Sequence, residues 1–269
     1  MKSRQFFLSV IFALLVCVQP NFAQKLSSVK GEKKPVNRSS LTYESNKGDS
    51  ILYLKGYSVI YSYALGLPRY VFHRLTVDQL ITNESRPAVK RSNSFYPYKL
   101  PNGQLSATNR DYLKSGYDRG HMVPAGDFVW NKELKNETFY YININPQTPW
   151  LNRGIWANME KRIRDRALSY QEDAYVVTGV VFNTKSGDQI GPRKIQVPVA
   201  FFKIVYFNKR NKMFAFLFDN TVESFEGRLS DFQVSVDMLE KITGEDFYDL
   251  LENNVEAILE ASIENFDDK

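Results

Sequence analysis

Apolar residues crowd into a few long runs. Ala174–Phe182 (AYVVTGVVF) and Val197–Phe207 (VPVAFFKIVYF) are nearly continuous and rich in valine and aromatic residues. That pattern predicts buried strands, and Met213–Leu217 predicts another. Tyr57–Leu75 is rich in Tyr, Val, Ile and Phe and predicts two strands broken near Gly66-Leu67-Pro68, while Phe139–Asn143 (FYYIN) reads as a further buried strand. Helical spacing runs from Ile155 to about Tyr170, with apolar Trp156, Met159, Ile163 and Ala167. Ser235–Leu251 and Val255–Ile263 predict two more helices. Residues 83–118 are polar and carry Pro87, Pro97, Pro101 and Gly103. They read as a long loop, and long loops in compact domains are often functional. Strands and helices do not alternate regularly, so the fold class is α+β rather than a doubly wound sheet.

The ends of the chain have a different character. Lys2 and Arg4 precede an apolar run from Phe6 to Val18, and Pro20 and Ala23 follow it. The run is too short for an ordinary spanning helix and predicts a signal peptide over residues 1–23, cleaved after Ala23, with export to the periplasm or the medium. Asn21 departs from the small residue preferred in the cleavage box. A lipoprotein signal on Cys17 and an uncleaved anchor are the alternatives, and Val16 is too bulky for a good lipoprotein site. Residues 24–50 are rich in Lys, Ser, Asn and Gly and read as a flexible arm. Residues 51–269 then form a single domain with an acidic, helical C-terminal segment. No other run is long and apolar enough to span a bilayer, so no stable membrane span is expected after cleavage.

Composition narrows the class. With 43% hydrophobic residues and 38 aromatics among 269, the chain can bury a sizeable core, which excludes disordered, collagenous and coiled-coil readings. A single cysteine, Cys17, excludes an intramolecular disulfide and a thiolate zinc cluster, and two histidines exclude a multi-histidine metal site. The formal charge of +5 hides an asymmetry: Asp219–Lys269 carries 15 acidic and 3 basic residues, and residues 24–218 carry 30 basic and 15 acidic. So basic a body points to a polyanionic partner, nucleic acid or an anionic surface. Solvated lysines with an acidic helix folded back on them are the alternative.

Two segments could carry chemistry. In Tyr117-Asp118-Arg119-Gly120-His121-Met122-Val123-Pro124-Ala125, a scarce histidine lies beside an arginine suited to phosphate and a glycine that lets backbone approach a ligand. A lone histidine is more often structural. In Leu151-Asn152-Arg153-Gly154-Ile155-Trp156 and the helix that follows, Asn152, Trp156, Glu160 and Arg164 are spaced by four. Each step of four turns about 40° around a helix, so an amide, a carboxylate and a guanidinium share one face. Asn152 could equally be an N-cap, and Glu160 with Arg164 an ordinary surface ion pair.

These segments resemble the DNA/RNA non-specific endonucleases of the ββα-metal (His-Me finger) fold, the group of the secreted bacterial nucleases and mitochondrial endonuclease G. The resemblance covers roughly Tyr57–Leu251. It rests on DRGHMVPAGDF (Asp118–Phe128), on NINPQ and LNRGIWANME (Asn143–Glu160) and on YVVTG (Tyr175–Gly179). VPVAFFKIV (Val197–Val205) and VSVDMLEKITGEDFYDLL (Val234–Leu251) fit its C-terminal half. It implies a central antiparallel sheet flanked by helices and an exported, Mg²⁺-dependent hydrolase of DNA and RNA that leaves 5′-phosphate and 3′-hydroxyl ends. Mn²⁺ or another divalent cation is a possible substitute, and a homodimer is compatible with it.

By this resemblance His121 is the general base that takes a proton from the attacking water. The ordinary imidazole pKa of about 6.5 leaves such a base competent at neutral pH. Asn152 is the one direct protein ligand of the metal, and Glu160 orients water around the ion. Arg119, Arg164 and Arg91 contact the phosphate, with Arg91 in a loop of variable length. Asn143 lies on the substrate side in a supporting role. The family has no catalytic residue at the position of His73, which reads as structural. Binding through arginines rather than base-reading groups implies affinity that falls steeply with salt. The rivals are a narrower phosphodiesterase of the same fold, a nucleic-acid-binding protein without catalysis, which would lack one of the site residues, and a basic envelope-surface protein.

Overall fold

The computed structural model describes residues 48–90, 94–182, 188–220, 227–249 and 251–267. The expected signal peptide, nearly all of the expected arm, and Arg91 lie outside these residues. The first strands are β1 (Asp49–Tyr53), β2 (Ser58–Ser62) and β3 (Leu67–Leu75), followed by helix α1 (Val77–Ser85). A short pair follows, β4 (Asp118–His121) and β5 (Ile144–Gln147), and then helix α2 (Ala157–Tyr170). The second half holds β6 (Ala174–Val181), the small hairpin of β7 (Gln189–Ile190) and β8 (Ile195–Gln196), β9 (Ala200–Phe207), β10 (Lys212–Asp219) and β11 (Gln233–Val234). Helices α3 (Val236–Thr243) and α4 (Asn253–Ala261) close the chain. Among the described residues no helix is long and apolar enough to cross a membrane.

Seven strands form one sheet in the order β1-β2-β3-β6-β9-β10-β11, and every neighbouring pair is antiparallel. This is the α+β class expected from the pattern. The long apolar runs make its centre: all eight residues of β6 and of β9 are buried. Both faces are covered. One face carries Val71, Val176, Val180, Phe201 and Val205, which pack under α2 and the β4–β5 pair. The other carries Tyr70, Val177, Phe202 and Ile204, against Leu239 of α3 and Leu259 of α4. In α2, Met159, Ile163 and Ala167 are buried as their spacing predicts, with Trp156 just before them. Burying each large apolar side chain of such a stripe contributes about 1.5–3 kcal/mol.

Three segments differ from the pattern. Phe139–Asn143 is not a strand: it ends in a 3₁₀ turn over Tyr141–Asn143, and pairing starts at Ile144. Phe139 and Tyr141 are buried around a turn that has a single bridge among the described residues, at Tyr96, and the Asn143 side chain binds the backbone of Val123 and Thr138 there. The helix expected over Ser235–Leu251 stops at Gly244, whose left-handed φ of 73° ends it. Phe247 and Tyr248 then fold back into the core. β1 begins at Asp49, two residues before the expected start of the domain. Its alternation is masked by the polar residues around it, and its register against β2 fixes it instead.

Gly179 shows how closely the sheet is packed. A Cβ there would overlap the Phe202 ring and lie 2.7 Å from Tyr70. Gly179→Ala should therefore lower stability by about 1–3 kcal/mol, or several degrees in thermal midpoint, at this buried strand position. Calorimetric unfolding of the purified variant checks it, and an unchanged midpoint would mean the aromatic pair can give way.

Candidate active site

The site is built where a short β ladder meets a helix. Asp118, Arg119, Gly120 and His121 of β4 face Gln147, Pro146, Asn145 and Ile144 of β5. Gly120 is demanded by close approach: a Cβ would overlap the Gln147 amide and lie 2.6 Å from its Cβ. Side chains alternate along a strand, so Arg119 and His121 leave β4 on the same face. Both meet Phe95. The Arg119 guanidinium stands 4.3 Å over its ring centre, and the His121 ring lies 5.4 Å from it. Phe139 closes on His121 edge-on at 4.9 Å. Two rings thus confine the imidazole, which keeps 9% exposure. Arg119 is held from its far end as well, donating 2.9 Å to Asn109 Oδ1, which also accepts the Tyr141 hydroxyl at 2.7 Å.

Immediately after β5 the chain turns into helix through Pro149–Leu151 and a π turn over Asn152–Trp156, within which Gly154 is non-helical (φ −99°, ψ −111°). Single π turns inside helices recur at functional sites. Asn152 opens this turn, and its Nδ2 donates 2.8 Å to Asp118 Oδ2. The same carboxylate takes two bonds from Arg153, at 2.8 and 2.6 Å. Burial alone would raise the Asp118 carboxyl. The bonds from Arg153 and Asn152, with the charges of Arg153 and Arg119, outweigh it and hold the carboxyl below its ordinary value. An ionised carboxylate only accepts. It therefore fixes the Asn152 amide with NH₂ inward, and Oδ1, which accepts no hydrogen bond from the described residues, is left for a cation. A hard, oxygen-seeking ion fits that donor.

One and two turns further on come Glu160 and Arg164. Arg164 donates 2.8 Å to Asp127 Oδ1, and His73 Nε2 lies 3.1 Å from Asp127 Oδ2. Lys203, on the sheet beneath, donates 2.6 Å to Thr178 Oγ1 and 3.3 Å to the Met122 carbonyl, and its Nζ lies 4.9 Å from the Trp156 ring centre. Glu160 and Lys203 feel each other's charge. Burial drives Glu160 up and Lys203 down, and their mutual attraction offsets only part of that.

The structure thus gathers Arg119 and His121 on β4 and Asn152, Glu160 and Arg164 along the helix, tied together by Asp118, Asp127 and Lys203. Asn143 does not face a substrate. It is fully buried, its Oδ1 accepts from Val123 N, and its Nδ2 donates to the carbonyls of Val123 and Thr138. It is a positioning residue for the loop after His121. His73 is structural in the same sense, through Asp127. Asp118, Asp127 and Lys203 received no role from the sequence. Asp118 and Asp127 sit inside the DRGHMVPAGDF segment, and Lys203 is a lone cation in an otherwise apolar strand, which itself signals a buried partner.

The chain is similar to known proteins over most of its length. The model of the DNA/RNA non-specific endonuclease family matches residues 35–254. The mouse mitochondrial nuclease EXOG is 31% identical over 213 residues, covering 74% of this chain and 56% of the relative. Human mitochondrial endonuclease G is 40% identical over 108 residues, covering 37% of this chain and 36% of the relative. A nuclease of Nostoc sp. is 30% identical over 242 residues, covering 85% of this chain and 84% of the relative. The chain spans only 56–58% of the length of the mouse, Xenopus laevis and Danio rerio EXOG proteins. Among solved structures, a chain of the EndoG/EndoGI complex superposes with a TM-score of 0.65 at 28% identity, covering 75% of this chain and 86% of that one.

Asp127 gives the site a pH signature. Burial alone would raise its carboxyl, but the His73 hydrogen bond and the Arg164 charge outweigh this and hold it below its ordinary value. A carboxyl depressed by folding adds stability that is fully present above its unfolded pKa of about 3.9 and is lost as pH falls through the folded value. Asp127→Asn breaks a buried pair, so at pH 7 it should cost on the order of 3 kcal/mol. The gap to the parent protein should close as pH drops below about 4. Thermal midpoints of both proteins from pH 7 to pH 3 measure it. A gap that stays constant across that range would contradict the ionised Asp127.

Proposed function

Because the chain belongs to the DNA/RNA non-specific endonuclease family, with its ββα-metal fold, we propose that it is an exported, divalent-metal-dependent endonuclease. It hydrolyses phosphodiester bonds of DNA and RNA without reading bases, and Mg²⁺ is its expected cation. One observation carries the reading: Asp118, the first residue of the strand bearing His121, accepts the Asn152 amide N–H, and the amide oxygen of Asn152 accepts no hydrogen bond from the described residues. A divalent ion held there would stabilise negative charge on the phosphate and on the leaving oxygen.

The chain's own groups do the rest. His121 accepts the proton of the attacking water, and the Phe95 and Phe139 rings hold its imidazole in one orientation. Arg119 and Arg164 each spend one N–H on an internal anchor, Asn109 and Asp127 respectively. Their remaining guanidinium donors are pre-oriented for phosphate oxygens. Glu160, drawn toward its ionised form by the charges of Lys203 and Arg164, is the carboxylate that would order water beside Asn152. The basic residues of the body draw the polyanion in, and none of the arrangement selects a base. Export rests on Lys2, Arg4 and the Phe6–Val18 run, and the N-terminal sequence of the secreted protein tests it.

Supercoiled plasmid and a folded RNA, incubated with and without EDTA, test the activity. The parent protein should nick both, and EDTA should stop it. His121→Ala should keep its circular dichroism spectrum and its affinity for DNA while losing about 10²- to 10⁴-fold in cleavage rate. Activity within a few-fold of the parent, in imidazole-free buffer, would remove His121 from the role of base.

A further inference from the structure

A second cluster of charge lies on the opposite face of the sheet from Asn152, between α3 and α4. Asp246, Glu256 and Glu260 bring carboxylate oxygens within 4.8 Å of one another, and Asp237 and Glu240 do the same with Glu260. Glu260 is only 6% exposed, yet its Oε1 has no hydrogen-bond partner among the described residues, and neither has the buried Oε1 of Glu256. Among the described residues none of the five forms an ion pair, although twelve ion pairs occur elsewhere. The charges acting on Glu260 are all negative, from Glu240, Glu256, Asp246 and Asp237, and with burial they push its carboxyl up to about 9. Buried carboxylates are ordinarily paired or bound to metal.

Local structure favours a ligand cage over an accidental crowd. Glu256 and Glu260 are one turn apart on α4 and present both carboxylates on one side. Glu240 of α3 accepts the Phe247 N–H at 2.7 Å, which fixes the turn that carries Asp246. Leu239, Phe247 and Leu259 anchor these elements in the core. Carboxylate oxygens of Glu256 and Glu260 thus converge on one from Asp246, an exposed residue, while each glutamate keeps a buried Oε1 without a hydrogen-bond partner among the described residues.

We propose that Asp246, Glu256 and Glu260 bind a calcium ion that clamps the acidic C-terminal segment to the sheet, with Asp237 and Glu240 adding to its negative field. The donors are all hard oxygens without histidine or cysteine, which disfavours zinc and copper. Calcium accepts several carboxylates in flexible geometry, whereas magnesium keeps most of its waters and few carboxylates. The role is structural, and it stands independently of the proposed nuclease activity.

The test is calcium titration of the full secreted chain after EDTA treatment and dialysis, read by calorimetry and by thermal unfolding. CaCl₂ at a hundredfold excess over Kd should raise the thermal midpoint on the order of 5 °C. Glu260→Gln should abolish that rise while leaving plasmid nicking in Mg²⁺ unchanged. Asp246→Asn, at an exposed position, makes the same test if the buried variant fails to fold. Asn152→Ala should retain the full calcium response. A rise that survives both Glu260→Gln and Asp246→Asn, a rise lost in Asn152→Ala, or no rise in the parent protein would each overturn the assignment.

Discussion

The bond from Asn152 to Asp118 joins the two pieces on which Arg119, His121, Asn152, Glu160 and Arg164 stand. Asp118 starts the strand that carries Arg119 and His121, and Asn152 starts the helical turn that leads to Glu160 and Arg164. A neutral partner could have accepted or donated and left the amide free to flip. The charged Asp118, reinforced by two bonds from Arg153, can only accept. One fixed proton direction therefore sets which atom of Asn152 is spent on Asp118 and which accepts no hydrogen bond from the described residues. The π turn lets the chain make this contact and still bury Trp156 one step later.

Beneath that junction the protein buries charge it could have avoided. His73 on β3, Thr178 on β6 and Lys203 on β9 face the site side of the sheet in an apolar setting, with Asp127 and Glu160 above them. Buried ion pairs are weak sources of stability, since desolvation offsets most of the attraction. They do fix geometry, because removing one member strands the others. Asp127 locks Arg164, and Lys203 ties the backbone after His121 to the sheet through the Met122 carbonyl. The site gains rigidity from these contacts, which is the condition for electrostatic preorganisation.

The large features of this fold are legible in the sequence because they depend on local pattern. β6, β9 and β10 are continuous apolar runs, and α2 repeats its apolar residues at helical spacing. β5 escaped notice for the opposite reason: Ile144-Asn145-Pro146-Gln147 is mostly polar yet wholly buried. Among its side chains only the Asn145 amide N–H finds a partner, the Pro68 carbonyl from far along the chain, while both polar atoms of the Gln147 side chain are buried without one among the described residues. The same limit applies to the site. His121, Asn152 and Glu160 stand out through motif and spacing. The His73–Asp127 and Lys203–Thr178 hydrogen bonds join residues distant in sequence, and no spacing rule reports them. Asn143 shows the converse error, a polar residue in a site motif whose amide is spent on the backbone.

The most direct measurement is a Mg²⁺ titration of plasmid nicking by Asp118→Asn, with Arg153→Gln as the control that keeps the carboxylate. If Asp118 fixes the metal-facing oxygen, Asp118→Asn should move the Mg²⁺ midpoint or the rate by about 10- to 100-fold, as loss of a group that orients a ligand does. Its circular dichroism spectrum should not change, and Arg153→Gln should remain near the parent. A midpoint and rate for Asp118→Asn equal to those of the parent would show that the amide of Asn152 is not set by this bond.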